Sequence, residues 1–249
     1  GVKPGEVVYL CLPTSHDLLE AFMGVSLIGA LPCNVALPRA IGGMNAFQNR
    51  LEKLSERFPG GHLVTTPDVA GDLTRPAWTP PELDLSRQAP LDAVDPDSLA
   101  YVQLTSGSTG LPKAVSITHA NFAANSRGIF MGGHGDATKD TFLGWLPLYH
   151  DMGLVGIAFT AMFHGSSLAL MRPETFVGNP LRWLSAIAEQ DAQVVNCAPN
   201  FGYQWCVDRV KESKLQGLDL SNWRLAGVGA EMVRPGTLQA FQDRYGPYG

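Results

Sequence analysis

Short apolar runs alternate with segments of helical periodicity along this chain, and this alternation restricts the fold more than any other feature. Val7–Leu12 is an apolar run between turn residues, which predicts a buried strand. Thr14 and Asp17 then resemble a capping box at the start of a helix. The apolar residues that follow recur at helical spacing: Leu18, Phe22, Val25 and Gly29. Because Leu31–Val35 is the next apolar run, the segment predicts a βαβ unit and therefore a parallel sheet.

The same alternation continues to the last residues. Further strands are predicted at His62–Thr66, Ala100–Thr105, Ala114–Thr118, Phe142–Leu146, Ser167–Met171, Val194–Cys197 and Arg224–Val228. Helices are predicted at Met44–Phe58, Ala120–Met131, Met152–Phe163 and Phe201–Val210, after Asn179-Pro180, and from Pro235 onward. The fold class is therefore α/β, with mostly parallel sheets flanked by helices.

The stretch 67–97 interrupts this pattern with six prolines and no clear periodicity. It predicts an extended connector between an α/β subdomain at 1–66 and a second one at 98–249. Turn residues stand at both ends of the sequence. We therefore expect a fragment, with the first subdomain incomplete at its N-terminus and the second at its C-terminus.

Composition excludes several classes of protein. The 249 residues carry a net charge of -5, which argues against a nucleic-acid partner. No signal peptide is visible, and Gly153–Phe163 is too short for a transmembrane segment. The four cysteines form no C-x-x-C pair and lie in apolar stretches, which predicts buried, reduced thiols in a cytoplasmic protein.

The loop TSGSTGLPK, Thr105–Lys113, carries the chemistry. Its glycines, Gly107 and Gly110, let the backbone approach a ligand, and successive N–H groups in such a turn can bind an anion. Lys113 adds a positive charge suited to a phosphate. The spacing does not match a Walker P-loop, and a flexible surface loop would seldom lie between two apolar strands.

The loop is similar to the signature phosphate loop of the adenylate-forming (AMP-binding) superfamily. Trp145–Leu154 resembles a second signature block of that superfamily, in the version found in fatty acyl-AMP ligases. Cys197–Tyr203, Leu218–Arg224 and Gly229–Glu231 resemble the same branch. The resemblance covers most of the chain.

The resemblance implies ATP-dependent activation of a long-chain fatty acid to an acyl-adenylate. Transfer to the phosphopantetheine of an acyl carrier protein would follow, with Mg²⁺ assisting the adenylation. The implied phosphate-binding residues are Thr105, Ser106, Gly107, Ser108, Thr109, Gly110 and Lys113. Gly229, Ala230 and Glu231 would contact adenine, while His150, Asp151, Asn200, Phe201 and Gly202 would contact the acyl substrate. His150 and Lys113 are the implied catalytic residues.

Structural roles compete with several of these assignments. His150 and Asp151 could simply cap a helix, Asn200 could be a cap, and Phe201 could be core. Trp145, Trp183, Trp205 and Trp223 are assigned to packing. The alternatives for function are a fatty acyl-CoA ligase and a non-catalytic nucleotide-binding or interaction module.

Two residues depart from the pattern of the superfamily. Ala114 stands where glycine is usual, and Val228 stands where the branch often has asparagine. The superfamily's aromatic-Gly-x-Thr-Glu block, ribose-binding aspartate, hinge and C-terminal catalytic lysine do not occur in this sequence. The resemblance therefore implies weak adenylation activity, or none, for this chain alone.

Overall fold

The computed structural model describes residues 1–38, 43–56, 61–73, 76–80, 94–105 and 113–249. These residues form two compact units, Gly1–Ala123 and Ala124–Gly249. Each unit combines helices with a parallel sheet, which confirms the predicted α/β class. The division into subdomains at 1–66 and 98–249, with a connector at 67–97, stays a prediction.

A parallel sheet of three strands organises the first unit, in the order β2-β1-β3. Strand β1 (Val7–Cys11) pairs with β2 (Leu31–Asn34) on one side and with β3 (His62–Thr65) on the other. Helix α1 (His16–Leu27) connects β1 to β2, and α2 (Gly43–Ser55) lies between β2 and β3 in the chain. All five residues of β1 are buried, as expected for a central parallel strand.

Helix α1 begins one residue later than the sequence pattern suggested. Ser15, not Thr14, is the N-cap: its backbone is extended, and its Oγ accepts a hydrogen bond from Leu18 N at 3.3 Å. Gly29, predicted on the helix face, lies beyond the helix end with φ +73, a conformation that glycine adopts without strain.

The proline-rich stretch contains more regular structure than its composition predicted. Pro67–Gly71 forms a short helix, α3, with proline in its first turn. Trp78 pairs with the edge of β3, where its N–H donates to Leu63 O and its O accepts from Thr65 N, each at 2.8 Å. Its ring also stacks on His62, with centroids 5.2 Å apart.

Strands β4 (Leu99–Leu104) and β5 (Ala114–Thr118) form an antiparallel pair. Val102 of β4 belongs to the apolar core of the first unit, and Ala114 of β5 packs against that core. Helix α4 (His119–Gly132) follows β5 and continues into the second unit.

The second unit contains a parallel sheet of four strands in the order β7-β6-β8-β9. The strands are β6 (Asp140–Gly144), β7 (Ser167–Leu170), β8 (Gln193–Ala198) and β9 (Trp223–Val228). Four of its helices are α7 (Pro173–Gly178), α8 (Leu181–Ala188), α9 (Asn200–Arg209) and α10 (Pro235–Tyr245). Short 3-10 helices occupy Glu212–Lys214 and Gly246–Tyr248. Helix α7 and the two 3-10 helices were not predicted, and the other elements named here lie within a few residues of their predicted bounds.

The segment between β6 and β7 was predicted as one helix over Met152–Phe163. It comprises α5 (Asp151–Gly153), a π-helix (Leu154–Phe159) and α6 (Thr160–His164). Thr160 Oγ1 donates to Val155 O, five residues earlier, at 2.7 Å. The hydroxyl thus provides a hydrogen-bond donor for a carbonyl of the π-helix, whose turn is wider than that of an α-helix.

Aromatic side chains dominate the core of the second unit. Trp183 is fully buried and contacts Trp145, Phe176, Tyr203 and Trp223 with ring centroids 5.3 to 6.1 Å apart. This packing confirms the assignment of Trp183 and Trp223 to packing.

The four cysteines are free thiols, and three of them are buried. Burial raises the pKa of Cys11, Cys33 and Cys197 to about 12, so these sulfurs are poor nucleophiles at neutral pH. Within the described part of the chain, no helix has the length and apolar character needed to cross a bilayer.

Candidate active site

The predicted phosphate loop connects the antiparallel strands β4 and β5 of the first unit. Its first and last residues are paired, because Thr105 N donates to Lys113 O at 2.9 Å. Both residues are exposed. Ser106, Gly107, Ser108, Thr109 and Gly110 lie outside the described residues. The structure thus defines the base of the loop and places the start of the Lys113 side chain there.

Ala114, where the superfamily usually has glycine, causes no strain at this base. It is not among the residues with positive φ in the described chain, so a Cβ is compatible with its backbone. Its methyl group packs against the core of the first unit, next to Leu104 at the end of the partner strand. The backbone and the neighbouring core therefore accommodate alanine at this position.

His150 and Asp151 lie in the second unit, at the turn between β6 and α5. His150 is the N-cap of α5: when Nδ1 is unprotonated it accepts from Met152 N at 3.2 Å, and when Nδ1 is protonated it donates to Asp151 Oδ1, 2.8 Å away. Asp151 Oδ1 also accepts from Met152 N, at 2.8 Å. The His150 side chain is 47% exposed, so it has both a capping contact and access to solvent.

Close packing fixes the turn that presents His150. A Cβ on Gly153 would lie 2.6 Å from Pro147 O and 3.0 Å from Leu146 O. A glycine at this position therefore lets the first turn of α5 fold back onto the residues that follow β6. The position of His150 depends on this contact as well as on its own cap.

The predicted acyl-binding residues Asn200, Phe201 and Gly202 form the first turn of α9, directly after β8. A Cβ on Gly202 would lie 2.7 Å from Trp145 Cζ2, so the helix approaches the indole closely. Phe201 is 40% exposed and makes edge contacts with Trp145 and Phe176. The structure thus gives Phe201 an apolar environment that remains open to solvent.

The predicted adenine-binding residues Gly229, Ala230 and Glu231 follow the end of β9. Gly229 N donates to Ala198 O at 3.3 Å, which continues the pairing of β9 with β8. Ala230 has φ +64, a left-handed conformation that is unusual for a residue with a Cβ. Glu231 Oε1 then accepts from Phe201 N at 2.5 Å. The two predicted binding segments therefore meet in the second unit.

Several residues at this junction were not predicted from the sequence. Thr237 and Gln204 are hydrogen bonded at 2.8 Å between α10 and α9, and Thr237 also bonds to Asn200. Tyr203 OH donates to Gly227 O at 2.7 Å, and burial raises the pKa of this phenol. The only sign of Thr237 in the sequence was its position as a small polar residue in the first turn of α10. Its partners could not be predicted, because they lie more than thirty residues away in the chain.

The described residues contain no group of three or more histidine, cysteine, aspartate or glutamate side chains placed to hold a metal ion.

Comparison with known protein families identifies the family to which the chain belongs. The AMP-binding enzyme family matches residues 46–249, which include every residue of the predicted site. The chain belongs to the AMP-binding enzyme family. The structural elements described above are consistent with the N-terminal domain of adenylate-forming enzymes.

Individual members of the AMP-binding family resemble all or part of this chain. The long-chain-fatty-acid–AMP ligase FadD26 of Mycobacterium bovis is 30% identical over 98% of the chain and 44% of its own length. A medium-chain-fatty-acid–[acyl-carrier-protein] ligase, TtuA of Teredinibacter turnerae, is 41% identical over 62% of the chain and 24% of its own length. The chain thus spans less than half the length of these curated relatives.

A solved structure also resembles this chain. The fatty acyl-adenylate ligase from L. pneumophila, in complex with acyl adenylate and pyrophosphate, is 31% identical with a TM-score of 0.91. The match covers all of this chain and 44% of that protein. The resemblance to the fatty acyl-AMP ligase branch is therefore confirmed at the level of sequence and of fold.

Proposed function

We propose that the protein containing this chain activates a fatty acid by ATP-dependent adenylation. The observation that carries the proposal is the match of the whole chain to a ligase whose structure holds acyl adenylate and pyrophosphate. In this reaction a carboxylate oxygen attacks the α-phosphorus of ATP. A new P–O bond forms, the bond to the β-phosphate oxygen breaks, and pyrophosphate leaves.

Lys113 and the loop 105–110 would bind the phosphates that leave. The ammonium group and the backbone N–H groups neutralise charge that builds up on pyrophosphate in the transition state. The hydrogen bond between Thr105 and Lys113 supports this role, because it holds the base of the loop in a defined geometry. Mg²⁺ would add positive charge through the phosphate oxygens.

His150 would contact the reacting carboxylate or the α-phosphate. Its helix cap engages Nδ1, so Nε2 is the ring nitrogen that faces a ligand. Because 47% of the side chain is exposed, a ligand has access to the imidazole ring. The cap orients the ring, and a capping role is therefore compatible with a catalytic one.

The acyl chain would lie beside the first turn of α9, and the adenine beside the segment after β9. Phe201 supports the first assignment, since an exposed ring with aromatic neighbours is an apolar surface for a hydrocarbon chain. Gly229 and Ala230 support the second, because ligands of open α/β sheets bind beyond the carboxyl ends of the strands.

We propose an acyl carrier protein as the acceptor, in the cytoplasm where ATP is available. The carrier-protein ligase among the relatives supports this choice over coenzyme A. Product analysis with a holo-carrier protein and with coenzyme A decides between them: acyl transfer to the carrier alone supports the proposal, and efficient formation of acyl-CoA contradicts it.

The test of adenylation is ATP–pyrophosphate exchange with fatty acids of increasing chain length. Exchange that depends on the fatty acid is expected, and Lys113→Ala should lower it at least about 100-fold. Lys53→Ala removes an exposed lysine in the last turn of α2 and serves as the matched control. Unchanged exchange or unchanged ATP affinity in Lys113→Ala would remove the phosphate-binding role of Lys113. A wild-type protein without any exchange that depends on fatty acid would support the alternative of a non-catalytic module.

A further inference from the structure

The loop between β9 and α10 is attached to the first turn of α9 at two points. Glu231 Oε1 accepts from Phe201 N at 2.5 Å, and Asn200 Oδ1 accepts from Arg234 N at 2.9 Å. In the first bond the helix donates and the loop accepts, and in the second the loop donates and the helix accepts. The segment 229–234 is therefore held on both sides of Met232, which is itself 80% exposed.

A buried network continues from Asn200 into α10. Asn200 Nδ2 donates to Thr237 Oγ1 at 3.3 Å, and Thr237 Oγ1 donates to Gln204 Oε1 at 2.8 Å. Asn200 and Thr237 are 7% and 6% exposed. Because both ends of the Asn200 amide are engaged, the first turns of α9 and α10 cannot shift independently without losing hydrogen bonds in a poorly solvated place.

The backbone of Ala230 directs Glu231 toward α9. Its φ of +64 bends the chain just after β9, at some cost for a residue with a Cβ. A carboxylate at the N-terminus of a helix is favoured by the N–H groups that point toward it. The bond from Phe201 N thus compensates for a strained residue, and the strain indicates a functional constraint on the turn.

We propose that Glu231 is a positioning residue that couples the two substrate segments. It acts through Phe201, rather than by contact with adenine, and it makes the positions of residues 200–202 and 229–231 depend on each other. A fatty acid bound beside α9 then raises the affinity for ATP, and ATP raises the affinity for the fatty acid by the same factor. This inference rests on the proposed function.

The coupling factor is measured as the ATP affinity with and without saturating fatty acid, by titration calorimetry on the full-length protein. We expect a factor of about tenfold in the wild type and below about twofold in Glu231→Ala. Glu231→Gln should retain most of it, since the amide oxygen still accepts from Phe201 N. Asp243→Ala, which removes an exposed carboxylate from α10 outside this network, should leave the factor unchanged.

Hydrogen exchange provides a second readout that needs no substrate. Glu231→Ala should speed exchange of backbone amides in both 200–203 and 229–234, and Glu231→Gln should restore the slow rates. Unchanged exchange in these segments overturns the proposal. Faster hydrogen exchange in Glu231→Ala together with an unchanged coupling factor also overturns the proposal. The bond between Phe201 and Glu231 would then hold the loop locally without linking the two substrate segments.

The failure of this inference differs from the failure of the proposed function. If the wild-type protein shows no ATP–pyrophosphate exchange that depends on fatty acid, the proposed function fails and the coupling fails with it. An active wild type in which Glu231→Ala has the same coupling factor removes the positioning role alone.

Discussion

Arg224 and Asp140 form a two-point ion pair in the second unit, with Nε 2.9 Å from Oδ1 and Nη2 2.7 Å from Oδ2. The Asp140 carboxylate is fully buried, and Arg224 Nη1 donates further to Gly133 O at 2.9 Å. The pair joins β9 to the start of β6, and β8 lies between these strands in the sheet. It therefore connects the strand that leads to Glu231 with the strand that leads to His150.

Asp140→Ala should lower the free energy of unfolding by about 3 to 5 kcal/mol, because Arg224 would keep its charge in a partly buried place without the carboxylate that neutralises it. Urea unfolding of the wild type and the variant measures this difference. Lys139→Ala is the control: it breaks an exposed pair with Asp136 and should cost at most about 1 kcal/mol. Equal losses in the two variants would contradict the argument.

Asp136 gives a pH dependence with a defined direction. Hydrogen bonds from the Thr138 hydroxyl, Lys139 and the Thr138 N–H lower the pKa of this carboxyl from 3.8 to about 2. Because the folded pKa lies below the unfolded one, the stabilisation is complete above pH 3.8 and is lost as the pH falls to about 2. Asp136→Asn should therefore have a lower melting temperature at pH 6 and converge with the wild type near pH 2. Parallel curves over that range would refute this.

His150→Asn separates the capping role from the catalytic one. Asparagine is a favoured N-cap residue, so the variant should keep its stability within about 0.5 kcal/mol. Adenylation should still fall about 100-fold, because the ring nitrogen facing the ligand is lost. Melting curves and pyrophosphate exchange measure the two effects. Full activity in His150→Asn would show that the residue serves as a cap.

Gly202→Ala tests the close approach of α9 to Trp145. The new Cβ would lie 2.7 Å from Trp145 Cζ2, and the indole is held by stacking on Phe176 with centroids 3.8 Å apart. We expect a loss of about 1 to 3 kcal/mol together with a changed tryptophan emission spectrum. Gly128→Ala, on an open face of α4, should be neutral or slightly stabilising. A stable Gly202→Ala with unchanged emission would show that the helix can shift.

Most of the fold follows from local patterns. The predicted strand Ala114–Thr118 matches β5 residue for residue, because an apolar run between turn signals is a strong indicator. The first cap was displaced to Ser15, since neighbouring hydroxyl residues compete for the same N–H groups. Helices α3 and α7 have only five and six residues, which is too few for apolar positions to recur over two helical turns.

For the candidate site, the sequence named residues, but it could not predict the contacts between them. Asn200, Phe201 and Glu231 were named from a resemblance, and their roles stay predictions. The bond between Phe201 and Glu231 spans thirty residues, and its geometry depends on a left-handed alanine that no local pattern signals. Such contacts arise from the pairing of β8 with β9, which brings the ends of both strands together.

The π-helix Leu154–Phe159 also affects how residues correspond between relatives. A π-turn contains more residues than an α-turn, so its presence is equivalent to a short insertion within a helix. When a relative has a regular α-helix here, the difference in residue number between equivalent positions of the two proteins changes within this segment. It has one value before Leu154 and another after Phe159. Residue equivalences for His150 should therefore be counted from β6 forward, and those for His164 from β7 backward.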